Sequence, residues 1–127
     1  MSLRTPLGKV LGSGSAKDGT GHWWAQRVTA VALIGLGAWF LLSLSPSTAL
    51  DHDAVLRWIG QPWNSVLLLL LGLTLSYHSS LGLQVVIEDY VHGPLTKVVS
   101  LILNKFFHAA VAMAAVFAVL NIGFGAG

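Results

Sequence analysis

The sequence predicts an all-α integral membrane protein with three transmembrane helices, and three observations lead there. Of 127 residues, 54% are hydrophobic and only 9% carry charge, with a mean hydropathy of +0.72. A soluble domain carries about 25% charge because water must solvate its surface, so the solvent that suits this chain is lipid. Second, three uncharged or nearly uncharged runs come close to or exceed the roughly 20 apolar residues that cross about 30 Å of hydrocarbon. Third, their Val, Leu and Ala content lacks the alternation of strands.

The first run extends from Val28 to Ser45 and is closed by Ser45-Pro46-Ser47. The second is free of formal charge from Trp58 to Ile87. Pro62 would break a helix there, so the span itself is expected to start near Asn64 or Ser65. Ahead of it, Asp51 to Trp58 reads as a short polar connector or interfacial helix, with Trp58 and Trp63 at headgroup level. The third run follows Gly93-Pro94, a sound helix start, and continues from about Leu95 to Ile122. Lys105 can snorkel toward the interface, and from Phe106 onward the run is uncharged. The chain reads as one membrane-anchor domain over residues 1–127, with a polar segment at 1–26 and spans at about 28–45, 65–87 and 96–122.

Residues 1–26 are rich in Gly and Ser and have neither the apolar core nor the cleavage pattern of a secretory signal. Arg4, Lys9 and Lys17 against Asp18 give a weak hint of a mitochondrial presequence, but the segment reads better as a water-exposed tail. That favours a bacterial inner membrane over a mitochondrial one. Arg4, Lys9, Lys17, Arg27, Lys97 and Lys105 fall on one side of a three-span layout and only Arg57 on the other. Six against one places the amino terminus in the cytoplasm, or in the matrix of an organelle. The same scatter of cations gives no basic patch for nucleic acid. The chain has no cysteine, which removes disulfides, zinc–thiolate sites and iron–sulfur ligation by its own residues.

Polar residues inside the spans carry the functional signal, because helices in lipid satisfy their own backbone. The second span holds Thr74, Ser76, Tyr77, His78, Ser79, Ser80 and Gln84. His78 has two readings: a hydrogen bond between helices, or an axial ligand of haem iron. Gly82 lies one turn on along the same face and would clear space for a flat macrocycle. The span ends in Glu88-Asp89-Tyr90-Val91-His92-Gly93, readable as a solvated helix end with an aromatic anchor. His22-Trp23-Trp24-Ala25-Gln26-Arg27 precedes the first span, readable as an aromatic belt with a positive-inside arginine. Both clusters lie on the positive side.

Taken together, His22-Trp23-x-x-x-Arg27 and His78-x3-Gly82-x-Gln84-x4-Asp89-Tyr90-Val91-His92-Gly93 resemble the hydrophobic membrane anchor subunits of succinate dehydrogenase, of the cytochrome b small-subunit type. The resemblance covers most of the chain in length and layout, and its specific part is about 25 residues. It implies that His78 is one axial ligand of a haem b whose other ligand comes from a second, cytochrome b-type membrane anchor. It implies that Tyr90 donates to a ubiquinone carbonyl with Asp89 beside it, and that Arg27, assisted by His22, lies near the haem propionates. The helical bundle would be completed by that second anchor, with iron–sulfur and flavoprotein subunits docked on the positive side. Electrons from succinate oxidation would pass through them to quinone. An unbroken helix would separate His78 from Tyr90 by about 18 Å, with haem inside the bilayer and quinone near its surface.

His108 lies about as deep in the third span as His78 does in the second, so a ligand pair within one chain is geometrically open, beside a packing role or a polar contact. His52 and His92 read as connector residues. Other readings of the whole are a fumarate reductase anchor, a small non-haem carrier with His78 and Gln84 as a polar relay, and a structural assembly protein. With no flavin-binding glycine loop and no soluble domain, the chain is non-catalytic on its own.

Overall fold

The computed structural model describes residues 3, 5–8, 18–44, 46 and 51–125. Arg4, Lys9 and Lys17 of the charge count, and Ser45 and Ser47 of the first closing motif, lie outside the described residues. Among the described residues the main helices are, in order, α1 (Asp18–Ser43), α2 (His52–Gly60), α3 (Pro62–Tyr90) and α4 (Pro94–Gly123). Three are long and apolar enough to cross a membrane, over Thr20–Ser43, Pro62–Tyr90 and Pro94–Gly123. The protein is thus all-helical, with three candidate spans.

The helices run past the charge-free stretches at their ends. Helix α1 begins at Asp18, so residues 18–26, expected as part of a water-exposed tail, form its first turns. His22 and Gln26 there are half-buried, and that packing holds the polar segment in a helix. Pro62, expected to interrupt, instead opens α3. At the first helical position its missing N–H would have had no partner and its fixed φ already suits the helix. Pro94 does the same for α4.

Helix α2 forms where the sequence reads as a polar connector or interfacial helix. Asp51 caps it by accepting from the Ala54 amide at 3.0 Å, with Asp53 in its first turn and Arg57 in its last, each suited to the helix dipole. Trp58 stacks on Trp39 near the end of α1, ring centres 5.7 Å apart, and Phe40 meets it edge-on at 6.1 Å. The sharp turn into α3 is clasped by side chains: Asn64 donates to the Trp58 carbonyl at 2.8 Å and Ser65 to the Ile59 carbonyl at 2.6 Å.

The spans form a row. Helix α3 is central, packed on α1 along one side and on α4 along the other, while α1 and α4 do not pack together. Burial runs opposite to a soluble protein. Among the described residues the buried ones are Asn64, Ser76, Asn104 and His108, with Leu81 and Ile87 as the apolar members, whereas Phe106, Phe107, Met113 and Phe117 face outward. Lipid tails are as apolar as Leu, so burying Leu gains little; close packing and interhelical hydrogen bonds hold such helices instead. At Gly72 a Cβ would stand 3.4 Å from the Ala115 methyl, which marks the tight crossing of α3 and α4.

Candidate functional site

The polar residues of α3 divide between its two neighbours. Toward α4, Ser76 donates to the His108 carbonyl at 2.6 Å, and Asn104 donates through its amide nitrogen to the Ser80 carbonyl at 3.0 Å. The His108 ring closes this clasp. Its Nδ1 lies 2.9 Å from the Asn104 carbonyl, which can only accept, so Nδ1 carries the proton. Nε2 therefore accepts from the Ser79 hydroxyl at 3.1 Å. His108 is 8% exposed, and both of its nitrogens are engaged.

Toward α1, His78 meets Thr29, with 2.8 Å between Nδ1 and the hydroxyl oxygen. That hydroxyl donates back to the Ala25 carbonyl at 2.6 Å, with the Gln26 carbonyl at 3.1 Å. With its hydrogen committed to the backbone, the Thr29 oxygen can only accept from His78. Nδ1 of His78 is the protonated nitrogen, and Nε2 keeps its lone pair with no hydrogen bond among the described residues. His78 and His108 therefore serve different interfaces and are not brought together as a pair.

Gly82, one turn beyond His78, faces α1 as well: a Cβ there would lie 3.7 Å from the Gln26 amide nitrogen. His22, Gln26 and Thr29, spaced four and three residues apart, share the α1 face turned to α3. Nε2 of His22 and Oε1 of Gln26 are buried without a hydrogen-bond partner among the described residues. Such orphaned polar atoms call for a partner that the described residues do not supply. Arg27 does not join this face. Its guanidinium lies over the Trp23 ring, 5.6 Å from the centroid, at the exposed edge of the helix.

Asp89 and Tyr90 end α3, both exposed, Tyr90 at 77%. They are held in place because the helix stops there: the Val91 amide bonds to the Ile87 carbonyl at 3.0 Å and the chain turns through 91–93 into α4. Gln84 donates to Glu88 at 2.8 Å, and the Lys97 ammonium donates to the Glu88 carbonyl at 2.8 Å, tying the two helix ends together. On one flank of α3 and α4 an open groove of about 590 Å³ is bordered by Tyr77, Ser80, Gln84, Lys105 and Ala109.

Thr29, Gln26 and Asn104 are the site residues that motif reasoning passed over. The spacing His22, Gln26, Thr29 was the available signal, since it puts three polar side chains on one face of an apolar helix. Among the described residues no group of three or more His, Cys, Asp or Glu could hold a metal ion, so a site for iron here rests on single histidines.

Residues 1–121 match the family described as Succinate dehydrogenase/Fumarate reductase transmembrane subunit. The succinate dehydrogenase hydrophobic membrane anchor subunit of Paracoccus denitrificans is 34% identical over 126 residues, covering 99% of this chain and 97% of the relative. That of Rickettsia bellii is 33% identical over 121 residues, 95% and 97% of the two chains. The succinate dehydrogenase membrane anchor subunit of Reclinomonas americana is 32% identical over 92 residues, 70% of this chain and 77% of the relative. No solved structure matches the chain. Three helices fit to span a bilayer, carrying their polar residues inward, are the form such an anchor requires, and with near full-length similarity the chain belongs to the succinate dehydrogenase/fumarate reductase transmembrane subunit family as a membrane anchor of complex II.

Proposed function

We propose that this anchor holds one side of a haem b through Nε2 of His78 and contributes Tyr90 and Asp89 to a ubiquinone-reduction site. The observation that carries the reading is the state of His78: half-buried, fixed through Nδ1 by Thr29, with the Nε2 lone pair unspent. Neutral imidazole with its other nitrogen donating is the form in which histidine binds a metal. The orphaned Nε2 of His22 supports a polar guest beside α1, and the exposed guanidinium of Arg27 can pair bidentately with a carboxylate at the same membrane level. The second axial ligand would come from a second membrane anchor, and His108, with both nitrogens engaged, is assigned to packing.

Bound there, haem supplies a one-electron redox centre within the bilayer. This chain's residues bind and orient it, and at the helix end they receive quinone. The Tyr90 hydroxyl donates to a quinone carbonyl and stabilises charge as it develops there. Asp89, adjacent and exposed, is placed to deliver a proton from water. Oxidation of succinate belongs to flavoprotein and iron–sulfur subunits on the positive side, in the cytoplasm of a bacterial cell.

Reduced-minus-oxidised spectra of the purified complex, with succinate and then dithionite, test the ligand. In His78→Ala the b-type signal should vanish, and in His108→Ala it should persist. Loss of haem only in His108→Ala would reverse the assignment.

A further inference from the structure

We infer that Thr29 is the positioning residue for His78, setting the tautomer and ring orientation that turn Nε2 toward iron. The inference rests on His78 being a haem ligand and adds the group that prepares it. The geometry has three linked parts. The Thr29 hydroxyl spends its one hydrogen on its own helix, 2.6 Å from the Ala25 carbonyl. Its oxygen, 2.8 Å from His78 Nδ1, is left with lone pairs only, so it selects the tautomer with hydrogen on Nδ1. The opposite tautomer would place a hydrogen on Nε2, where it blocks a metal. A free imidazole interconverts between the two and rotates about its Cβ bond; this contact removes both freedoms before a ligand arrives.

The contact is also the one hydrogen bond between α1 and α3 among the described residues, against several between α3 and α4. An acceptor at Nδ1–H also makes the imidazole a stronger donor through Nε2, which favours ferric over ferrous iron.

The test uses the whole complex with Thr29→Val, Thr29→Ser and Thr29→Cys. Val matches the volume but offers no acceptor, Ser keeps the oxygen, and Cys keeps a small side chain with a poor acceptor. Haem content per complex, midpoint potential and the low-spin electron paramagnetic resonance spectrum are read, none of which depends on turnover. Haem affinity should fall about 10- to 100-fold in Thr29→Val, the range for loss of an outer-shell partner. Haem retained should show a potential shifted upward and altered g values, with Cys shifted in the same sense and Ser like wild type. Should Val fail to assemble, the Cys and Ser pair decides by the same criterion. Wild-type potential and spectrum in both Val and Cys would overturn the proposal, and so would a Ser variant as disturbed as Val. The His78→Ala spectrum separates the two levels: haem retained there removes the ligand reading, whereas haem lost there with normal Thr29 variants removes only the positioning role.

Discussion

Tyr90 stands at the last position of α3, 77% exposed, on a helix end fixed by the Val91 amide and the Glu88–Lys97 tie. Removing its hydroxyl leaves that frame untouched, because among the described residues the hydroxyl makes no hydrogen bond in the chain. On the proposed reading the Tyr90 hydroxyl donates to a quinone carbonyl, a bond worth about 1 kcal/mol net, so Tyr90→Phe should slow quinone reduction about 5-fold. Reduction of an artificial dye by the soluble subunits should persist in the same preparation; equal loss of both would point to failed assembly. His108 shows where residue-level inference from sequence stops. Depth in the span left it open as a ligand, and no local pattern says that its nitrogens are spoken for. Their partners, Asn104 on the same helix and Ser79 on α3, become visible only once the two helices are in register. His78 was legible as a special residue because histidine in lipid needs a partner. Thr29 was not, because threonine in a membrane helix usually bonds its own i−4 carbonyl, as it also does here.

At the scale of the element, α3 does most of the organising. Its α4 side carries Gly72, Ser76, Ser79 and Ser80, small residues that let the helices approach and then hydrogen-bond across the gap. At Gly72 the helices come close, and a methyl there would still make ordinary contact with Ala115 at 3.4 Å. Gly72→Ala should therefore be tolerated, whereas Gly72→Leu should separate the helices and cost about 1–3 kcal/mol, the range for overpacking. Thermal stability of the detergent-solubilised complex measures this, and equal midpoints for the two variants would refute the close crossing. Element ends were less legible than element cores. Pro62 read as an interruption because proline ends helices from within, yet here it sits at the first position, where the same ring favours helix. Which applies depends on where the preceding turn falls, and that is set by the Asn64 and Ser65 clasps to the end of α2.

For the whole molecule, a row of three spans with α3 in the middle leaves both flanks of that helix uncovered, which suits a chain that completes its bundle with another subunit. Helix α2 lies on the side of the row opposite the turn at 91–93, and the charge distribution predicts that the turn faces the cytoplasm. Since the chain has no cysteine, single substitutions report this cleanly. Asp53→Cys on α2 and His92→Cys in the turn are both exposed, and a membrane-impermeant thiol reagent added to intact cells should label the first and spare the second. The reverse pattern would invert the topology. The number of spans and their apolar cores follow from composition and local spacing. Each span must meet the lipid alone, with its backbone bonds internal, so its sequence carries that information locally. The pairing of polar side chains is of another kind. Thr29 and His78 are 49 residues apart, Ser79 and His108 are 29 apart, and their partnership depends on the rotation and depth of one helix against another. That packing, a property of all three helices together, separates the histidine left with a free Nε2 from the one that closes a helix interface.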